Sequence, residues 1–158
     1  MKDSSAQALD RTDLKILRAL QGDGRLTNAE LAARVNVSPA TCHRRTQRLF
    51  DEGFITGVKA QVAPAAVGLG ALVMVGVVLD RSTPESFGAF EGAVAGMKEV
   101  LDCNLVAGDF DYLIKVRVRD MADFNRLHTR QLIALPGVRQ IRTFFVIKEV
   151  KENEPLSF

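Results

Sequence analysis

Apolar positions recur at helical spacing through the first fifty residues and at strand spacing beyond residue 70. Leu14, Leu17 and Leu20 line one side of a segment that Asp10 can cap and that Gly22 and Gly24 stop. Thr27, with Glu30 three positions on, is a capping box opening a helix that buries Leu31 and Val35. Asn36 and Val37 make a tight turn. Ser38 followed by Pro39 then starts a third helix, because proline at the first helical position lacks an amide hydrogen that would be orphaned there anyway. That helix runs to about Glu52, and Gly53 ends it.

From Gly57 to Val62 helical periodicity is lost, and with Pro64 and the stretch from Gly68 to Gly70 this reads as a short strand and hinge. Ala71 to Leu79 is a valine-rich run with almost no polar residue, suited to a strand buried on both faces. Thr83 and Pro84 open a helix to about Met97, and Val100 to Val106 is a second strand. In a third, Tyr112, Ile114, Val116 and Val118 alternate with Leu113, Lys115, Arg117 and Arg119, which gives one dry and one wet face. Asp120 caps a helix through Leu135, Pro136 and Gly137 halt it, and Val138 to Val150 closes as a strand. The order strand, helix, strand, strand, helix, strand is that of a ferredoxin-like sandwich, whose uncovered sheet face predicts association with a second copy. The expected division is 1–56 for the helical domain, 57–70 for hinge strand and linker, 71–151 for the sandwich, and 152–158 for a frayed tail.

Composition narrows the function. No apolar run approaches the ~20 residues of a spanning helix, and residues 1–8 do not resemble a secretory signal, so a soluble cytoplasmic protein is expected. Cys42 and Cys103 stand alone, without the spacing of a zinc site or disulfide framework, and read as buried thiols. The net charge is only +2, yet residues 1–60 hold 10 Lys/Arg against 7 Asp/Glu, while the remainder holds 11 against 12.

The basic surplus falls on a pattern that can use it. Two short helices joined by a turn of about four residues, the second beginning at Ser38, have helix-turn-helix geometry. With Cys42, Thr46 and Leu49 turned inward, Thr41, His43, Arg44, Gln47 and Arg48 occupy the opposite and flanking surface, free of acids before Asp51. Such a face can read base edges and grip phosphates, and Arg45 adds to its charge. Helix starts at Thr27 and Asn28, and at Ser38 and Pro39, offer amides to phosphate oxygens. A solvated basic helix is the plainer alternative. The pattern holds no catalytic triad, zinc-protease motif or nucleotide fingerprint, so neither catalytic residues, nor a metal, nor a cofactor is expected. The loop Gly108, Asp109, Phe110, Asp111, Tyr112 could hold an ammonium group between its two carboxylates, although spacing alone favours an ordinary hairpin.

Taken together, Leu9, Asp10, Asp13, Gly24 to Thr27, Glu30, Leu31, Ser38, Pro39, Cys42, Arg44, Arg45, Leu49 and Gly53 to Ile55 resemble the DNA-binding half of the Lrp/AsnC (feast/famine) transcriptional regulators. Leu105, Val106, Gly108 to Leu113 and Leu135 to Val138 resemble that family's amino-acid-sensing half. The resemblance implies an α+β chain with an N-terminal winged helix-turn-helix domain and a C-terminal ferredoxin-like (βαββαβ) effector domain. It further implies binding to double-stranded DNA, homodimers assembling into octamers or similar, no membrane, and an amino-acid effector such as leucine or another apolar one. By the same resemblance the effector pocket takes Val106, Gly108, Asp109, Asp111 and Tyr112, with Arg142, Thr143 and Phe144 opposite. The rival expectation is an amino-acid-binding regulatory module that acts on a protein partner without touching DNA.

Overall fold

A computed structural model describes residues 8–158, so the expectation drawn on residues 1–8 falls, but for Ala8, outside the described residues. The described residues form two compact units, 8–61 with 151–158, and 62–150.

The first unit holds α1 (Arg11–Gly22), α2 (Asn28–Val35) and α3 (Pro39–Asp51). Each expected cap is in place. Asp10 accepts from the Thr12 and Asp13 amides, Thr27 and Glu30 form a reciprocal capping box, and the Ser38 hydroxyl accepts from the Thr41 amide. These side chains satisfy amides that a helix start otherwise leaves orphaned, at about 1 kcal/mol each. Asn36 closes α2 in the left-handed region at φ 60°, which sets the tight turn into α3. The core is Ile16, Leu31, Ala32, Val35, Cys42 and Leu49. On α1 the apolar spacing misplaces the centre: Ile16 and Asp13 are buried, while Leu14, Leu17 and Leu20 are only half-buried at the rim.

The expected hinge strand at 57–62 is absent, because an extended segment becomes a strand only beside a partner strand. Instead Val58 packs into the space above Gly24, where an added Cβ would lie 2.7 Å from its methyl. A short 3-10 turn, Pro64–Val67, follows in the second unit.

That unit contains β1 (Ala71–Leu79), α4 (Pro84–Ala95), β2 (Val100–Leu105), β3 (Tyr112–Val118), α5 (Met121–Arg130) and β4 (Val138–Phe145). The sheet is antiparallel in the order β2-β3-β1-β4. Val73, Val75 and Val77 of β1 and Ile114 and Val116 of β3 meet Phe90 and Val94 of α4, with Phe124 and Leu127 of α5, in one core. Two elements are shorter than expected. The helix from Asp120 stops at Arg130 and tightens into a 3-10 turn at Leu132–Ala134 ahead of Pro136. The last strand leaves the ladder after Phe145, where the Val146 amide still donates to the Leu72 carbonyl. Cys42 is buried as expected; Cys103 is only partly so, and burial raises its thiol pKa.

Candidate nucleic-acid interface and ligand loop

The three arginines of α3 have different employment. Arg45 Nη1 donates to Asp10 Oδ2 at 2.7 Å and to Asp13 Oδ1 at 2.9 Å, and Arg48 Nη2 donates to Asp13 Oδ2 at 2.6 Å. Asp13, 1% exposed, thus neutralises two cations that reach back from α3, and its Oδ2 also accepts from the Asp10 amide. Arg48 further reaches Glu52 one turn on. Arg45 and Arg48, expected at the DNA surface, therefore clamp α3 to α1. Arg44 is exposed and has no hydrogen-bond or ion-pair partner among the described residues. His43 and Gln47 are exposed beside it, Gln47 donating to Asp51 at 2.9 Å, and Thr41 is half-buried at the start of the helix.

The anchors at the helix starts are likewise partly committed. The Asn28 amide group donates to the Pro39 carbonyl at 2.9 Å, which locks the start of α2 to the start of α3. The Thr27 hydroxyl donates to Glu30 and the Ser38 hydroxyl to Thr41, so the turn is braced before any partner arrives. A contact to phosphate from these positions falls to backbone amides and to the partial charge of the helix start.

The clamp makes acid sensitivity predictable. The Asp13 amide and the Arg45 guanidinium, in that order, lower the Asp10 carboxyl from 3.8 to about 2. A carboxyl pKa lowered in the fold adds stability above its ordinary value, and that stability is lost as pH falls from about 4 toward 2. Asp10→Asn, which keeps the capping oxygen and loses the charge, should shrink the fall in stability between pH 4 and pH 2. Identical acid titrations of the two proteins, followed by circular dichroism at 222 nm, would refute this.

In the second unit the expected ligand residues split between the two sheet faces. Tyr112 is 2% exposed, its ring packs on Phe90 and Phe87, and its hydroxyl donates to Glu91 at 2.6 Å. Burial first, and then the Glu91 contact, drive its phenol pKa upward. Thr143 pairs across from Val75 and so shares the helix-covered face. Arg142 and Phe144 alternate with it and point to the other face. Asp111 accepts from the Leu79 amide at 2.8 Å while its own amide donates to the Val77 carbonyl, which fastens the loop to the end of β1. Val106 is tied to the Asp111 carbonyl. Gly108 at φ +145° and Asp109 are exposed at the loop tip.

The sequence names Phe110 only as a member of the loop, with no place among the pocket residues, yet it organises this face. Its ring lies over Gly76, where an added Cβ would come within 2.6 Å of it. It meets Phe144 edge-on at 6.2 Å, and the Arg142 guanidinium stands 5.8 Å from its centroid. A glycine in the middle of a strand is a signal of such close approach. The arrangement offers a cation, two aromatic walls and, at the loop tip, a carboxylate.

Comparison with known proteins places both halves. Residues 9–56 match the winged helix-turn-helix DNA-binding domain, and residues 72–156 match the Lrp/AsnC ligand binding domain. The chain is 43% identical over 155 residues to the leucine-responsive regulatory proteins of Escherichia coli K12 and Salmonella typhimurium, covering 98% of this chain and 94% of theirs. A transcriptional regulator from Neisseria meningitidis, solved in complex with L-Met, superposes with a TM-score of 0.89 at 37% identity, over 95% of this chain and 97% of that one. An AsnC family transcriptional regulator from Agrobacterium tumefaciens also gives 0.89, at 31% identity over 94% and 97%. With its helix-turn-helix unit, its β2-β3-β1-β4 sheet and relatives that match along nearly its whole length, the chain belongs to the Lrp/AsnC family of transcriptional regulators.

Proposed function

We propose that this regulator reads DNA chiefly through Thr41, His43, Arg44 and Gln47, and that an apolar amino acid bound near the 106–111 loop modulates its DNA affinity. The observation that carries the reading is Arg44, whose charge the fold leaves unspent while Arg45 and Arg48 are neutralised by Asp13. An exposed, uncompensated guanidinium on the second helix of this motif is suited to a phosphate or to the acceptor edge of guanine.

For the effector, Arg142 suits a carboxylate, Asp109 an ammonium, and Phe110 with Phe144 an uncharged side chain. The L-Met complex of the Neisseria relative and the leucine-responsive relatives support a ligand of that size and polarity. The sheet face opposite α4 and α5 supports dimers formed through that face, with further assembly into octamers or similar. Residues offered by a second copy would complete the pocket. An effector that has better contacts in one assembly than in another shifts the oligomer population and with it DNA affinity.

A thermal-shift screen of the twenty amino acids tests the effector reading, since ligand at a hundred times its Kd adds about 2.7 kcal/mol to the folded state. Leucine, methionine or a similar apolar amino acid should raise the melting temperature by several degrees. Gly76→Val, which displaces the Phe110 ring, should flatten that rise and leave binding to the DNA upstream of the protein's own gene unchanged in a filter assay. A full ligand response in Gly76→Val would remove the Phe110 wall from the pocket.

A further inference from the structure

The segment 151–158 is polar except for Val150 before it, Leu156 and Phe158, and Pro155 presets an extended approach to the last three residues. It does not fray. The Leu156 amide donates to Gln21 Oε1 at 2.9 Å, and Gln21 Nε2 donates back to the Leu156 carbonyl at 3.2 Å. The Gln21 side chain therefore pairs with one residue's backbone as a neighbouring strand would. Three positions earlier on α1, Arg18 Nε donates to the Phe158 main-chain oxygen at 2.6 Å, and its guanidinium sits 5.3 Å from the Phe158 ring centroid. Arg18 and Gln21 lie on one face of α1 because residues three apart are neighbours on a helix.

The tail completes a groove of about 260 Å³ whose other walls are Leu17 and Leu20 of α1 and the stretch from Phe54 to Val58 that leads out of α3. None of Thr41, His43, Arg44 and Gln47 lines it. The tail can thus dock and release without covering the face of α3 assigned to DNA.

We propose that residues 155–158 are a latch docked on α1 as one wall of this groove, and that the latch fixes the exit segment Phe54 to Val58 and holds the DNA-binding unit by a second length of chain. Three hydrogen bonds, a cation over a ring and a small apolar contact would bind weakly as a free peptide. Tethered by a few residues, the same contact works against an effective concentration of order mM, so its occupancy sits where modest changes can open it. Chain connectivity joins the latch to the end of β4, so the DNA-binding unit hangs from the ligand-binding unit by residues 57–62 when the latch is open, and by 146–155 as well when it is closed.

Hydrogen exchange on the full chain and on two variants, Arg18→Ala and a chain ending at Glu154, tests this. The Ile55 amide, which donates to the Leu49 carbonyl at 3.0 Å, should exchange at least tenfold faster in both variants, with α2 and the first turns of α3 unchanged. A synthetic peptide of residues 151–158, at mM concentration, should restore protection to the chain ending at Glu154 and do nothing for Arg18→Ala. Unchanged exchange at Ile55 in both variants would overturn the latch, as would a peptide that fails to restore protection. Uniformly faster exchange across all three helices would also overturn it, by showing that the contact merely stabilises the unit. None of these outcomes depends on which amino acid is the effector.

Discussion

Asp13→Ala is expected to melt the DNA-binding unit and leave the ligand-binding unit standing. Asp13 is 1% exposed and is the shared counter-ion of Arg45 and Arg48, whose side chains are 23% and 18% exposed. Removing it takes the buried counter-ion from two largely buried guanidinium groups, leaving Arg45 its bond to Asp10 and Arg48 its contact with Glu52, which costs up to about 3 kcal/mol. In a unit of this size that lowers the melting temperature by roughly 10 to 20 °C. The chain contains one Tyr and no Trp, so Tyr112 fluorescence reports the ligand-binding unit alone, while helical signal at 222 nm includes the three helices of the other unit. The substitution should therefore split the thermal transition: an early loss at 222 nm and an unmoved tyrosine transition. Asp13→Asn, which keeps the acceptor for the Asp10 amide, should fall between. A triple variant with leucine at 13 and methionine at 45 and 48 should recover most of the loss, because replacing a whole buried ion cluster by apolar side chains is often neutral or stabilising. A single, unshifted transition in Asp13→Ala would show that the clamp carries no stability.

The origin of that clamp explains what was and was not legible in the sequence. The caps at Asp10, Thr27, Ser38 and Asp120 each depend on residues within a few positions, and all four were legible. So was β1, whose valines leave no helical alternative. The ion cluster joins positions 32 and 35 apart, and apolar periodicity on α1 gives no hint that its most buried neighbour to Ile16 is an acid. A charged residue inside an apolar stripe, in a chain with adjacent arginines on a later helix, was the available signal. The strand expected at 57–62 and the overlong final strand failed for one reason: alternation marks a segment able to pair, and pairing is decided elsewhere in the chain. Tyr112 shows the limit at the ligand loop. It sits within the motif Gly108 to Tyr112 and follows strand parity into the core, whereas Phe110, two positions earlier and outside the strand, escapes that parity and turns over Gly76 on the opposite face.

Arg44→Ala should weaken binding to a promoter fragment by about 1 to 3 kcal/mol, roughly five- to 150-fold, and reduce the salt slope of binding by about one. Its melting temperature should match that of the unaltered protein, since Arg44 has no partner within the fold among the described residues. Arg48→Ala should reverse the pattern: it withdraws one of the two guanidinium groups held by Asp13, so stability falls while the salt slope stays close to normal at temperatures where the unit is folded. The contrast separates a residue that meets DNA from one that holds the helix which meets it. Arg44→Lys then divides the possible contacts of Arg44. A lysine keeps the charge for a phosphate and loses the paired donors that match guanine O6 and N7, so near-normal affinity with unchanged sequence preference assigns Arg44 to the backbone, and loss of preference assigns it to a base. If Arg44→Ala binds with unchanged affinity and salt dependence, the reading face lies elsewhere on α3. The assignment of its one uncompensated arginine to DNA then fails.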